Sequence, residues 1–457
     1  MAASAYAIAR LAGKLSRQLG RGGGTSLPGK LLLRWRPQAI RELATHLPDG
    51  AIVVSATNGK TTTSRMIGDC VRAGGLRLVT NPSGANLLSG VATALLAERS
   101  ARTPAQLGLF EVDEAALPAV VEQLRPRIVL LMNLFRDQLD RYGELEELVT
   151  RWRVMLQALP DETVVILNAD DPAVAALGDA HPGATFFGID DPSTALPGLP
   201  HAADSKRCRR CDAPLVYDAV FVGHLGHWRC AVCGWSRPAP AVRATRVTID
   251  GLRGIDVQVA TPHGQVSARV ALPGLHNAYN VTAAVAVASA LNIPPDVVAG
   301  ALAASDAAFG RAERVTLDGH EVLLMLVKNP AGTNETIRTV LLDPEPLDLL
   351  VALNDRTADG RDVSWIWDVD FEPLFPRIHH LTVTGDRAYD LALRFRYGGL
   401  DQRRMTIVES LEASVDHATA ATPPGRPLYM LPTYTAMLDL RTILVDRGVA
   451  REFWRDR

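Results

Sequence analysis

Short apolar runs alternate with amphipathic stretches along most of the chain. The first series of runs covers residues 51–54, 107–112, 127–132 and 163–168. The intervals between the runs are long enough for crossover helices. This alternation predicts an α/β fold with a mostly parallel sheet, in which ligands bind at the carboxyl ends of the strands.

The alternation stops between residues 183 and 245, a stretch rich in Pro, Gly and Cys. Residues 246–272 then predict antiparallel strands, and helices resume over 277–304. A second alternation follows Arg314, and we expect a helix after each of its apolar runs. These runs are 321–327, 347–353, 380–385 and 427–431.

We therefore predict a domain boundary near residue 313. A basic segment, residues 1–45, is expected to pack on a central domain over 46–313 that carries an insert at about 205–237. Residues 314–457 are expected to form a smaller, Rossmann-like α/β domain.

Charge excludes one class of partner. The 457 residues include 48 basic and 50 acidic side chains, a formal net charge of −2, so we expect no nucleic acid partner. No apolar run reaches the ~18 residues of a membrane-spanning helix. The basic residues before Glu42 leave two interpretations open: a helix packed on the body, or a basic face toward an anionic membrane or phosphate-bearing substrate.

The strongest chemical motif is a phosphate loop between the first apolar run and a helix-like segment. Backbone N–H groups at such a helix start favour phosphate, Lys60 would contact the β- and γ-phosphates of ATP, and the Thr61 hydroxyl would bind Mg²⁺. Val54 stands where the strict Walker pattern has Gly. The predicted ATP-binding residues of the loop are Thr57, Asn58, Gly59, Lys60, Thr61 and Thr62.

The loop TNGKTT resembles that of the Mur ligase family, ATP-dependent enzymes that join amino acids to peptidoglycan precursors. Further segments resemble the family in the same order: 110–114, 133–144, 167–172, 275–284, 310–314 and 328–335. The resemblance implies Glu111 as a second Mg²⁺ ligand, with Asn277 and Asn280 near the adenine. It also implies Arg311 and Lys328 at the phosphates.

Three departures from the family concern the loop and the metal. Ala56 replaces a common Gly, and Gln138 stands where a metal-binding His would be. Several family members hold magnesium through a carbamylated lysine, but residues 144–157 contain none, and arginine cannot form the carbamate. The magnesium site is therefore expected to differ from those relatives.

Four cysteines have the spacing of a zinc ribbon. Two Cys-x₂-Cys pairs separated by 18 residues offer four thiolates, which predicts a closed, structural Zn²⁺ site. Two disulfides are the weaker alternative in a reducing compartment, and an interaction surface is a second possible role. His224 and His227 are spare ligands at best. The predicted zinc ligands are Cys208, Cys211, Cys230 and Cys233.

The four-Cys insert and the C-terminal motifs are similar to one amide-forming branch of the Mur ligases, the lipid II isoglutaminyl synthases. This resemblance implies ATP-dependent amidation of the α-carboxylate of D-glutamate in the lipid II stem peptide, through an acyl phosphate. It implies a GatD-type glutaminase subunit as partner, and action at the inner face of the membrane in the bacterial cytoplasm. An amino-acid-adding ligase and a non-enzymatic nucleotide-binding module remain alternatives.

No residue of the chain is a convincing glutaminase nucleophile. The fifth cysteine, Cys70, lies in the helix behind the phosphate loop and is interpreted as a core thiol. Within the acidic stretch 353–372, the family resemblance implies that Asp355 orients the partner's catalytic His, with Asp362 as the second candidate. A solvated acidic loop is the alternative, and Tyr434 either lines the same interface or packs in the core.

Overall fold

The computed structural model describes most of the chain. The described residues are Tyr6, 26–81, 84–99, 101–136, 145–201, 203–305 and 313–450. The predicted residues Arg311 and Gln138 lie outside these ranges, as does the junction at 306–312. The predicted boundary near 313 falls at the edge of that junction and stays a prediction.

A nine-stranded sheet organises residues 51–270. Its strands are β1 (Ala51–Ser55), β2 (Leu78–Thr80), β3 (Leu107–Glu111), β4 (Ile128–Leu131), β5 (Val164–Asn168), β6 (Thr185–Ile189), β9 (Val242–Ile249), β10 (Ile255–Thr261) and β11 (Gly264–Val270). Their order is β11-β10-β9-β6-β5-β4-β1-β3-β2. The strands from β2 to β9 pair in parallel, and β9, β10 and β11 pair antiparallel, as the alternation and the pattern over 246–272 predicted.

Helices cover both faces of this sheet. They are α1 (Leu27–Trp35), α2 (Ala39–Ala44), α3 (Lys60–Ala73), α4 (Leu88–Glu98), α5 (Leu117–Leu124), α6 (Leu145–Gln157), α7 (Pro172–Ala175), α8 (His276–Ala290) and α9 (Pro295–Ala303). The phosphate-loop helix α3 packs against α8 and α9 in one apolar core, whereas α1, α2, α4, α5 and α6 build the core on the opposite face.

The N-terminal helix α1 packs closely on α4. A Cβ atom at Gly29 would lie 1.8 Å from the Ser89 carbonyl oxygen, so only glycine permits this approach. Within the described part of the chain, no helix is both long and apolar enough to cross a bilayer.

A two-stranded hairpin, β7 (Leu215–Val222) and β8 (Leu225–Cys230), is inserted between β6 and β9. The insert was predicted, but β6 was not, because its short run TFFGI lies inside the Pro- and Gly-rich stretch. The strand continues the parallel sheet before the insert begins.

A six-stranded sheet organises residues 313–432. Its strands are β12 (Glu313–Leu317), β13 (His320–Leu324), β14 (Leu347–Ala352), β15 (Ile378–Thr384), β16 (Met405–Ile407) and β17 (Leu428–Pro432), in the order β12-β13-β17-β14-β15-β16. The strands from β13 to β16 pair in parallel. The helices are α10 (Pro330–Val340), α11 (Ala388–Tyr397), α12 (Leu411–Ala421) and α13 (Tyr434–Asp446).

The predicted α/β fold class is confirmed, with one local correction in this second unit. The helix expected after the run 347–353 is absent from the described chain, where two 3₁₀ turns, Ser364–Asp368 and Glu372–Leu374, follow instead. The intervening acidic side chains are held by individual partners, described below, and do not form an amphipathic face.

Candidate active site and metal site

The phosphate loop joins β1 to α3 through a backbone that requires glycine. Gly59 has φ +88°, and a Cβ atom there would lie 2.3 Å from Oδ1 of Asn280. Helix α3 begins at the next residue, Lys60, and no side chain caps it. The N–H groups of its first turn are therefore available to an anion, and the helix dipole favours one.

The neighbouring strand end braces this loop. The Thr57 N–H donates to the Asn133 carbonyl at 3.0 Å, and the Phe135 N–H donates to Thr57 Oγ1 at 3.1 Å. Asn133 exchanges two further hydrogen bonds with the Asn58 backbone, at 2.9 and 3.0 Å. A loop held by this many bonds keeps its N–H groups preorganised for phosphate.

Asn58 also reaches into the second unit of the chain. Its side-chain amide exchanges two hydrogen bonds with the amide of Asn329, at 3.2 and 3.1 Å. Asn329 in turn caps helix α10, accepting from the Gly332 N–H at 2.8 Å. The phosphate loop and the start of α10 are thus joined directly.

One lysine pairs directly with the buried carboxylate of Glu114, and the charge of a second lysine acts on the same group. Lys60 Nζ donates to Glu114 Oε2 at 2.8 Å and also to the Ala56 carbonyl. Burial opposes the charge on Lys60, but the carboxylates of Glu114 and Glu111 outweigh it and raise the pKa of Lys60. Burial likewise opposes the charge on Glu114, yet Lys60 and Lys328 lower the pKa of that carboxyl. Both partners are therefore charged at neutral pH.

No role was predicted for Glu114, although it lies in the segment 110–114 that resembles the Mur ligases. The signal that would have found it is the scarcity of lysine. Only five lysines occur in the chain, and Lys60, predicted in a loop between a buried strand and a helix, is the one whose charge would need a nearby carboxylate.

Glu111 ends strand β3, in register with Val54 of β1. This places a carboxylate beside the phosphate loop, where a hard cation suits it. The Tyr434 hydroxyl approaches from the second unit, and its pKa is raised by burial and by the carboxylates of Asp359 and Glu111. Thr61 and Glu111 are thus near the loop, and their binding of Mg²⁺ stays a prediction.

The predicted asparagines of α8 support the loop from the other side. Thr63 Oγ1 donates to Asn280 Oδ1 at 3.1 Å, and Asn280 Nδ2 donates to Asn277 Oδ1 at 2.8 Å. Asn277 Nδ2 donates to the Pro273 carbonyl at 2.7 Å. Asn277 therefore reaches the loop through Asn280, and its role toward the adenine stays a prediction.

The four ribbon cysteines come together at the open end of the β7–β8 hairpin. Their Sγ atoms all lie within 4.8 Å of one another. Cys208 and Cys233 are 3.6 Å apart at sulfur, and Cys211 and Cys230 are 3.5 Å apart. A tetrahedral Zn²⁺ with bonds of about 2.3 Å would space its sulfurs by about 3.8 Å. The donor set therefore fits zinc.

Backbone groups around the quartet also suit thiolates. The Arg210 N–H points at Cys208 Sγ at 3.4 Å, and the Cys233 N–H points at Cys230 Sγ at 3.5 Å. The hairpin is anchored to the large sheet by Trp228, whose Nε1 donates to the Ala169 carbonyl at 3.1 Å. All four thiols are free, so the disulfide alternative is not what the structure contains.

Substituting Cys230 by serine should release the metal and lower the melting temperature by several degrees, because a structural zinc site contributes directly to folding. Elemental analysis should give one zinc per wild-type chain and less than a tenth of that in the variant. Cys70→Ala is the matched control for zinc content, since Cys70 is fully buried in the core, away from the quartet. Equal zinc content in both variants would contradict the assignment.

The acidic stretch 353–372 separates into side chains with different partners. Asp359 accepts from the N–H and hydroxyl of Thr435, and Asp362 accepts from the Ser364 N–H at 2.8 Å. The remaining pairs are Asp368 with Arg136, Asp370 with Asn334, and Glu372 with Arg394. These five carboxylates thus serve the turn itself or its packing.

Asp355 follows a buried asparagine that holds its loop. Its side chain is 31% exposed and pairs with Arg387, itself 38% exposed, at 3.3 Å. The adjacent Asn354 is buried and fixes the loop, accepting from the Asp386 N–H at 3.0 Å and donating to Thr435 Oγ1 at 2.9 Å. A firmly held backbone thus presents the partly exposed Asp355 carboxylate, in a stretch where Asp368 at 37% and Glu372 at 48% are also exposed.

Comparison with known proteins gives two family models. The Mur ligase middle domain matches residues 54–207, and the MurT ligase C-terminal domain matches residues 326–437. Among solved structures, a pseudomurein peptide ligase type C from Methanothermus fervidus has a TM-score of 0.69 and 19% sequence identity, covering 88% of this chain and 79% of that one. The structural likeness shows a shared fold.

Curated relatives match over nearly their whole length. The lipid II isoglutaminyl synthase (glutamine-hydrolyzing) subunit MurT of Streptococcus pneumoniae is 33% identical over 436 residues, 94% of each chain. The protein of the same name from Staphylococcus aureus is 30% identical over 438 residues, 95% of each chain. Identity at this level over both chains shows that the chain belongs to the MurT family, a branch of the Mur ligases.

Proposed function

We propose that the chain is the synthetase subunit of a lipid II isoglutaminyl synthase. Using ATP, it would amidate the α-carboxylate of D-glutamate in the lipid II stem peptide to D-isoglutamine, at the inner face of the membrane. The observation that carries the proposal is a full-length match to subunits of a glutamine-hydrolysing enzyme in a chain with no available glutaminase cysteine.

The phosphate loop supports the first chemical step. A substrate carboxylate oxygen attacks the γ-phosphorus of ATP, the bond to the β-phosphate oxygen breaks, and ADP leaves with an acyl phosphate formed. Lys60, Lys328 and the N–H groups at the start of α3 would stabilise the charge on the transferred group. Mg²⁺, held by Thr61 and Glu111, would supply further neutralisation of the phosphate oxygens.

Ammonia completes the reaction. Its lone pair attacks the acyl carbon, inorganic phosphate leaves, and the nitrogen loses a proton to give the amide. All five cysteines lie in the described ranges: four form the quartet, and burial raises the pKa of the Cys70 thiol to about 12. We therefore propose that a separate GatD-type glutaminase subunit supplies the ammonia.

Incubating the purified chain with ATP, Mg²⁺, lipid II and ammonium should give a product about one mass unit lighter than lipid II, together with one ADP and one phosphate. The mass change follows from exchange of OH for NH₂, and mass spectrometry of the stem peptide would place it on D-glutamate. Reactions without ammonium, and with an amino acid in its place, are the controls.

Other products would contradict the proposal. An adduct heavier by one amino-acid residue would establish the alternative, an amino-acid-adding ligase of the Mur type. ATP binding with no change to lipid II, with or without a glutaminase subunit, would favour a nucleotide-binding module that performs no ligation.

A further inference from the structure

The tip of the ribbon hairpin, residues 221–224, lies between the two units of the chain. On the side of the large sheet, the rings of His224 and Phe135 are 4.8 Å apart between centroids. On the other side, Arg338 of α10 donates through Nη1 to the Phe221 carbonyl at 2.7 Å. A Cβ atom at Gly223 would lie 2.8 Å from the Phe135 ring and 3.7 Å from Cβ of Ala331, so the tip is tightly enclosed.

One line of contacts runs from the tip to the phosphate loop through Asp171. His224 is 0% exposed, and its Nε2 lies 3.4 Å from Asp171 Oδ1. The other oxygen of Asp171 accepts from the Leu134 N–H at 2.8 Å. Leu134 sits between Asn133 and Phe135, the two residues that bond the loop at Thr57 and Asn58.

A second line runs from the tip through helix α10. Arg338 donates to the tip, and Ala331 packs against the core cluster that includes Phe221 and Val222. The same helix begins at the Asn329 cap. The Asn329 amide is bonded twice to the amide of Asn58. Both series of contacts therefore end on the phosphate loop, and both start at the hairpin tip.

Two series of contacts with common ends restrict the distance between α10 and the phosphate loop. Helix α10 begins two residues after Lys328, whose charge lowers the pKa of Glu114, the partner of the loop lysine. If the tip withdrew, α10 would lose the Arg338 bond to the hairpin and keep its contacts with the Gly251–Arg253 turn and, near its C-terminal end, with Gly274. The placement of Asn329 and Lys328 would then be less tightly set. The hairpin thus acts far from the cysteine quartet, at the opposite end of β7 and β8.

We propose that this hairpin tip is a positioning element of the nucleotide site: it sets the placement of α10, and with it Asn329 and Lys328, against the phosphate loop. Arg338 and His224 are its positioning residues. The inference deepens the proposed function but concerns nucleotide binding itself, whatever the ATP is used for.

The test measures the affinity of the full chain for a non-hydrolysable ATP analogue with Mg²⁺ by calorimetry. Arg338→Ala should weaken binding about tenfold, the cost of losing a charge-assisted hydrogen bond that orders the site. Arg338→Lys keeps a cation on α10 and should recover at least half of that loss on a logarithmic scale. In amidation assays the loss should appear in KM for ATP and leave KM for ammonium unchanged.

Arg229→Ala is the matched control, because Arg229 lies on the same hairpin but pairs with the exposed Asp218. Zinc content should be unchanged in the Arg229 and Arg338 variants. The melting temperature should fall in Arg338→Ala alone, because Arg338 also pairs at 2.8 Å with Glu335, whose side chain is 7% exposed, and Arg338→Lys should restore it. An analogue affinity within twofold of wild type for Arg338→Ala, or an equal loss in the control, would overturn the proposal. Failure of amidation with normal analogue binding would count against the proposed function alone.

Discussion

Asp355→Asn should lower glutamine-dependent amidation by the two-subunit enzyme at least about 100-fold and leave ammonium-dependent amidation within twofold of wild type. A carboxylate that contacts a catalytic imidazole fixes its tautomer and stabilises its cation, and an amide of the same shape does neither. Asp355 is accessible and its loop is fixed by Asn354. Ligation at the ATP site does not depend on the partner's imidazole, so amidation from free ammonium should continue. Both rates are measured on the assembled enzyme with saturating ATP.

Asp362→Asn is the control for this experiment. Asp362 lies in the same acidic stretch, but its carboxylate accepts from the Ser364 N–H at the start of a 3₁₀ turn. An asparagine oxygen can accept the same bond, so both rates should be unchanged. A loss confined to Asp362→Asn would transfer the role to that residue. An equal loss of both rates in Asp355→Asn would make its role structural.

Strands and helices with a regular apolar pattern were predictable because the pattern lies within a few consecutive residues. The runs at 51–54 and 127–132 are buried on both faces of a parallel sheet and therefore read as continuous apolar segments. Strand β6 escaped because Thr185–Ile189 is short and is surrounded by turn-forming residues. The stretch after β14 was misread because its residues fold around individual contacts, which follow no helical period.

Site residues that belong to a local motif were predictable from the sequence. Pairs of residues that are far apart in the chain and meet only in the fold were not. The cysteine quartet follows from spacing alone, and Lys60 follows from a loop motif set between an apolar run and a helix-like segment. Glu114 binds a lysine 54 positions away, and Asn329 binds a partner 271 positions away. No local pattern encodes such pairs, since they depend on how two sheets are placed against one another. The family resemblance named Lys328, but only the structure joins it to Lys60 through a shared carboxylate.

The largest effect is expected for Lys60, the lysine that pairs with Glu114. Lys60→Ala should lower kcat for amidation about 1000-fold, because it removes a preorganised charge from the phosphate site. It should also destabilise the fold by up to about 3 kcal/mol, since it leaves Glu114, 9% exposed at its side chain, short of a counter-charge. The double substitution Lys60→Ala with Glu114→Gln should restore most of the stability and none of the activity. Denaturant unfolding and steady-state kinetics measure the two quantities separately.

Lys206→Ala provides the comparison for loss of a lysine as such, because among the residues that the structure describes Lys206 donates to the exposed His201 carbonyl alone. It should change neither quantity. Activity recovered in the double variant would mean that Lys60 acts only as a partner of Glu114, and the phosphate role would then pass to Lys328. Stability unchanged in Lys60→Ala would mean that Lys328 alone neutralises Glu114. Comparison of the single and double variants thus separates the charge that holds the site together from the charge that acts on phosphate.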